Sequence, residues 1–147
     1  MTTRYFALTI GLLYVLLAVL GFFPPVVSAP PVDAPPVAAH TGYGDLLLGI
    51  FPVNVLHNVV HLAVGIWGLI AYRGLVQSIG FARGLAALFG ILAVMGVLPW
   101  ASTAFGLVPL FGHAVWLHAL TAAAAAYVCY SPALDAPPVA LAARRTS

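Results

Sequence analysis

Four long apolar runs, at residues 5–23, 46–71, 82–98 and 107–130, carry a single formal charge among them, that of Arg83. A backbone in lipid has no water to satisfy its N–H and C=O groups, so each run must form a helix that bonds to itself. About 20 apolar residues cross a hydrocarbon core and roughly 17 are tolerated, a length that all four runs reach, the third only marginally. The expected architecture is an all-α integral membrane four-helix bundle. Composition supports this, because 63% of the 147 residues are apolar and 5% charged. A soluble domain carries about a quarter charged residues. Five Arg and three Asp, with no Lys or Glu, could not cover a soluble surface of this size.

The arginines orient the bundle. Arg4 precedes the first run, Arg73 and Arg83 flank the second connection, and Arg144 and Arg145 lie in the tail. The first connection holds only Asp33 and Asp45, and the third has no formal charge. The positive-inside rule then places both termini in the cytoplasm. Tyr43, Tyr72, Trp100 and Tyr130 fall at the ends of runs, where amphipathic rings favour the interface. Residues 1–130 form one transmembrane domain in this reading, with an extracytoplasmic Pro-rich loop at 24–45 and a Pro/Ala-rich cytoplasmic tail at 131–147. The loop should be an extended, polyproline-like segment across the outer mouth, with His40 solvated. Arg4, the first run and Val27-Ser28-Ala29 imitate a cleaved secretory signal. The run exceeds a usual signal core and Pro30 would follow the cut, so the reading is a retained helix.

Other classes find little support. Five scattered arginines make no groove for a phosphate backbone, so no nucleic-acid partner is expected. A single cysteine, Cys129, excludes an internal disulfide and a cysteine-rich metal site. No nucleophile–base pair, phosphate loop or paired-carboxylate site is visible, and the chain reads as non-catalytic.

The chain also reads as two helical hairpins related by a faint repeat. A shift of 57 residues aligns Pro52 with Pro109, Val53 with Leu110, His61 with His118 and Gly65 with Ala122. Both halves run in the same direction, which implies an axis normal to the membrane.

Within the second run, FPVNVLHNVVHLAVG places Asn54, His57, Asn58 and His61 on one helix face roughly 100° wide. Gly65 and Gly68 continue that face, and Ala122 lies below His118 on the fourth run; small residues let a neighbouring helix approach. His118 falls near the depth of His61, so the polar site should lie between the second and fourth helices, in the outer half. His113, roughly 140° from His118 around the helix, cannot share its inward face. Arg83 should snorkel from the start of the third helix, and Tyr14 and Trp67 should pack.

Two readings of the site follow. In the first, the histidines and asparagines satisfy one another across helices. In the second, neutral imidazoles of His61 and His118 hold haem b iron from both sides, or with His57 bind a transition metal. Against ligation, no carboxylate lies at this depth to orient an imidazole, and the Gly and Ala below the histidines suggest helix contact rather than a haem cavity. The hydrogen-bonded network is the leading reading.

The same stretch resembles the signature of the DUF4383 family of bacterial membrane proteins, a domain of unknown function. The residues that carry it are Phe51, Pro52, Val53, Asn54, His57, Asn58, His61, Leu62, Gly65, Gly68 and Leu69. An R-x-F-A start (Arg4, Phe6, Ala7) and a four-helix layout extend the resemblance over most of the chain. VPLFGHAVWLH keeps His118 but lacks the asparagines that often precede the last helix in that family. The resemblance implies no activity. Three functional classes remain open: an accessory or scaffold subunit of a larger membrane complex or homo-oligomer, a haem or metal protein carrying electrons, and a small-ligand transporter or binder.

Overall fold

The computed structural model describes residues 2–40 and 45–130. Tyr43, the tail at 131–147 and its Arg144 and Arg145 lie outside the described residues. Four helices follow one another: α1 (Thr2–Leu20), α2 (Val55–Ala71), α3 (Leu75–Val97) and α4 (His113–Tyr130). Between α1 and α2 lie a 3-10 turn (Pro24–Val26) and three short strands, β1 (Val27–Ser28), β2 (Leu46–Leu47) and β3 (Phe51–Pro52). The expected all-α four-helix arrangement is therefore present, with a small antiparallel sheet added to it. α1 packs chiefly on α2 and α3 on α4, the two expected hairpins.

The helix boundaries differ from those expected, each for a local reason. Residues 46–54 were expected to open the second helix; instead β2 pairs with β3, Leu46 opposite Pro52 and Leu47 opposite Phe51. A short continuous apolar run fits a buried strand as well as a helix. Leu48 and Gly49 take φ of 54° and 72° and reverse the chain. Pro52 lies in an edge strand, where its missing N–H is harmless, and not in the first turn of the helix. α3 starts at Leu75 rather than near 82, because the corner before it is short. There Ser78 Oγ donates to the carbonyls of Ala71 (2.8 Å) and Gly74 (2.9 Å). Arg83 consequently sits in the third turn of α3, exposed, and not at its start. α4 starts at His113 rather than 107, after turns in which Ala104, Phe105 and Gly106 take positive φ. α1 runs three residues earlier than the expected 5–23.

Small residues set the closest approach. α1 buries Thr3, Ala7, Gly11, Tyr14 and Ala18 along one face. A Cβ on Gly65 would stand 2.7 Å from Val15 N and 2.9 Å from Gly11 O, and one on Gly68 2.8 Å from Ala7 O. The Gly65–Gly68 face is therefore seated on α1. Ala122 packs at the edge of the apolar core formed by Tyr14, Val64, Phe81, Leu85 and Phe89.

Arg4 ties the two ends of the first pair together. Its Nε donates to the Tyr72 carbonyl at 2.8 Å, and its guanidinium lies 5.2 Å from the Tyr72 ring centre. The three described arginines thus lie toward one end of the bundle, and Asp33 and Asp45 in the connection at the other. That connection crosses the mouth: Ala38 N–H donates to Gly106 O (2.8 Å) and Val55 N–H to Ala39 O (3.0 Å). His40, largely exposed, bonds through Nδ1 to the Asp45 carboxylate. α1 and α3 are long and apolar enough to cross a membrane, while α2 is 17 residues long.

Candidate functional site

Asn54 does not join the histidines. It caps α2, its Oδ1 accepting the His57 backbone N–H at 2.8 Å. Its Nδ2 donates to the carbonyls of Ala38 and Leu107, both at 2.7 Å. One buried amide therefore clamps α2, the Pro-rich connection and the α3–α4 connection together.

The remaining stripe divides between two neighbours. Asn58 turns toward α1, where a Cβ on Gly21 would meet its Oδ1 at 2.2 Å. His57 and His61, one turn apart on α2, turn toward His118 of α4. Their ring centres stand 5.8 Å and 6.3 Å from that of His118 and 4.2 Å from each other. All three are buried, with relative exposures of 3%, 3% and 0%. His113 lies apart, its ring against Phe51 at 6.5 Å.

The expected hydrogen-bonded network is not formed among these side chains. His57 Nδ1, both ring nitrogens of His61, both of His118, and both polar atoms of Asn58 have no partner among the described residues. A buried polar atom left unpaired costs about 1–3 kcal/mol, so five ring nitrogens together rival the roughly 5–15 kcal/mol stability of a whole domain.

Aromatic rings wall the centre. Tyr14 meets the His61 ring nearly edge-on at 4.9 Å, and Phe89 lies 5.0 Å from both Tyr14 and His118. The Tyr14 hydroxyl pairs with Thr121 Oγ1 at 2.9 Å, one turn beyond His118 on α4. Tyr14, expected only to pack, is thus a member of the site, as are Thr121 and Phe89. The signal for Tyr14 was its hydroxyl in mid-run, and for Thr121 its i+3 spacing from His118.

This geometry discriminates between cofactors. A haem held by His61 and His118 needs its macrocycle in the plane between them, and the His57 ring stands beside that axis. Haem b does not fit. A single ion does: one ring nitrogen from each histidine can be chosen so that all three lie within 4.8 Å of one another. With metal–nitrogen bonds of about 2.0–2.1 Å, tetrahedral ligand atoms sit roughly 3.4 Å apart, so small ring movements would close the set. Two surface clefts, the larger of about 350 Å³, lie at the same end of the bundle. Pro52 lines both.

The family model for a domain of unknown function, DUF4383, matches residues 4–131, most of the chain. The chain belongs to the DUF4383 family. Neither the curated proteins nor the solved structures compared with it gave a match. The DUF4383 signature can now be read as a structural unit. Phe51 and Pro52 form the edge strand, Val53 is buried beneath it, and Asn54 caps the helix. His57 and His61 supply two-thirds of the centre, while Gly65 and Gly68 seat the helix on α1. His118, Tyr14 and Thr121 complete the DUF4383 site from outside that stretch.

Proposed function

We propose that this DUF4383 protein is a small, non-catalytic integral membrane protein of the bacterial inner membrane, with both termini cytoplasmic. It acts by binding at the histidine centre, as an accessory component of a larger membrane assembly. One observation carries this reading: polar side chains are buried inside a bundle whose outer surface is apolar. Leu16, Val19, Ile70, Ile91, Val94 and Leu120 are each more than half exposed, while Asn58 and His118 are fully buried. Water would not tolerate such a surface, and lipid requires it. The clustering of Arg4, Arg73 and Arg83 toward one end supports the orientation. The apolar flanks of the two helix pairs give a partner in the bilayer a surface to dock on.

Cysteine labelling tests the reading. In a Cys129→Ser background, Ser28→Cys lies in the outer connection and Gln77→Cys near the arginine-bearing corner, both at exposed positions. An impermeant thiol reagent should label Ser28→Cys in intact cells and Gln77→Cys only after permeabilisation. The opposite pattern would reverse the orientation, and release of the protein by alkaline carbonate would overturn membrane insertion.

A further inference from the structure

We infer that His57, His61 and His118 form a binding site for one late first-row transition ion, copper(I) or zinc. The inference deepens the binding reading above. It does not depend on the orientation, which the labelling experiment tests separately.

Three features point to an ion rather than to an organic ligand. The donors are convergent, with three ring nitrogens within 4.8 Å of one another. Five of the six ring nitrogens have no protein partner among the described residues, and the three rings are buried to 3% exposure or less. They come from an i, i+4 pair on α2 and one residue on α4, so an ion would join the two hairpins at a single point. Tyr14 packs against His61 and Phe89 against His118, so aromatic rings rather than polar groups flank the donors.

The donor set selects the ion. Imidazole nitrogen suits copper, zinc, iron and nickel, whereas magnesium and calcium demand oxygen ligands. Both described aspartates belong to the outer connection, so the site offers three neutral donors. A charge buried without a counter-ion is costly, which favours monovalent copper. Zinc would need an exogenous anion at its fourth position.

The full-length protein, stripped with a chelator in lipid nanodiscs, is divided into arms receiving Zn²⁺, Cu⁺ under anaerobic reduction, or Mg²⁺, then desalted. Metal per chain is measured by mass spectrometry. About one equivalent of copper or zinc should be retained, with the two arms showing which, and no magnesium. Retention should fall at least roughly tenfold in His61→Gln and His118→Gln, because an amide is a poorer donor to these ions than imidazole. It should be unchanged in His40→Gln and His113→Gln, which remove histidines outside the centre. The parent failing to retain either ion would overturn the site whatever the variants do. Full retention in a folded His118→Gln protein would overturn the assignment of its ligands.

Discussion

Gly65→Leu is expected to lower the melting temperature in detergent by on the order of 10 °C, taking about 3 kcal/mol at roughly 4 °C per kcal/mol. A first side-chain carbon at this position would already meet Val15 N at 2.7 Å and Gly11 O at 2.9 Å. Those atoms are backbone and cannot rotate away, so α1 and α2 must separate along their contact. Because α2 also carries His57 and His61, the separation would displace two members of the histidine centre. Gly11→Leu should behave alike, since its own Cβ would stand 2.9 Å from both Gly65 O and Leu69 N. Ile66→Leu, at a position 47% exposed, should melt close to the parent. Val64 would be a poor control, because it is buried in the core. Melting curves for these variants check the packing; parent-like stability of Gly65→Leu would refute the seat on α1.

Asn54→Ala is expected to cost roughly 2–4 kcal/mol, combining the loss of a helix cap with two carbonyls left without their donor. The cap alone is worth about 1 kcal/mol. The excess comes from Ala38 and Leu107, which share the Nδ2 group at 2.7 Å each. Asn54→Asp separates the two contributions. It keeps the acceptor for the His57 N–H but turns the donor into an oxygen facing two carbonyl oxygens. It should therefore be no more stable than Asn54→Ala. If Asn54→Asp retained parent stability in denaturation at neutral pH, Asn54 would be a helix cap and nothing more.

The helix count, the hairpin pairing and the facing of His61 and His118 were legible because lipid and period leave few alternatives. A polar residue in an apolar run must face inward, and two such residues at matching depth on neighbouring hairpins meet. What was not legible lay where the same residues serve two structures. LLLGIFPV reads as the start of a helix by hydropathy, yet Gly49 and Pro52 make it a hairpin. Asn54 shares a face with His57 and His61 by helical angle, but it precedes the first turn and works as a cap. Gly65 and Gly68 announced a close neighbour without naming it; Gly11, the partner, is one glycine in a run that offers no other sign. Tyr14 was legible as a polar atom in lipid, and its assignment to packing overlooked that its hydroxyl also needs a partner. Opposite errors thus have one cause: angle around a helix is visible in a sequence, and the identity of the facing helix is not.

X-ray absorption at the metal edge, recorded on the full-length protein after loading with copper(I) or zinc in nanodiscs, tests the three-histidine centre most directly. The account predicts a first shell of nitrogen at about 2.0–2.1 Å with outer-shell scattering from three imidazole rings. For zinc, one further light ligand is expected. A first shell containing sulphur, which would implicate Cys129 or a methionine, or a shell of oxygens without imidazole scattering, would contradict it.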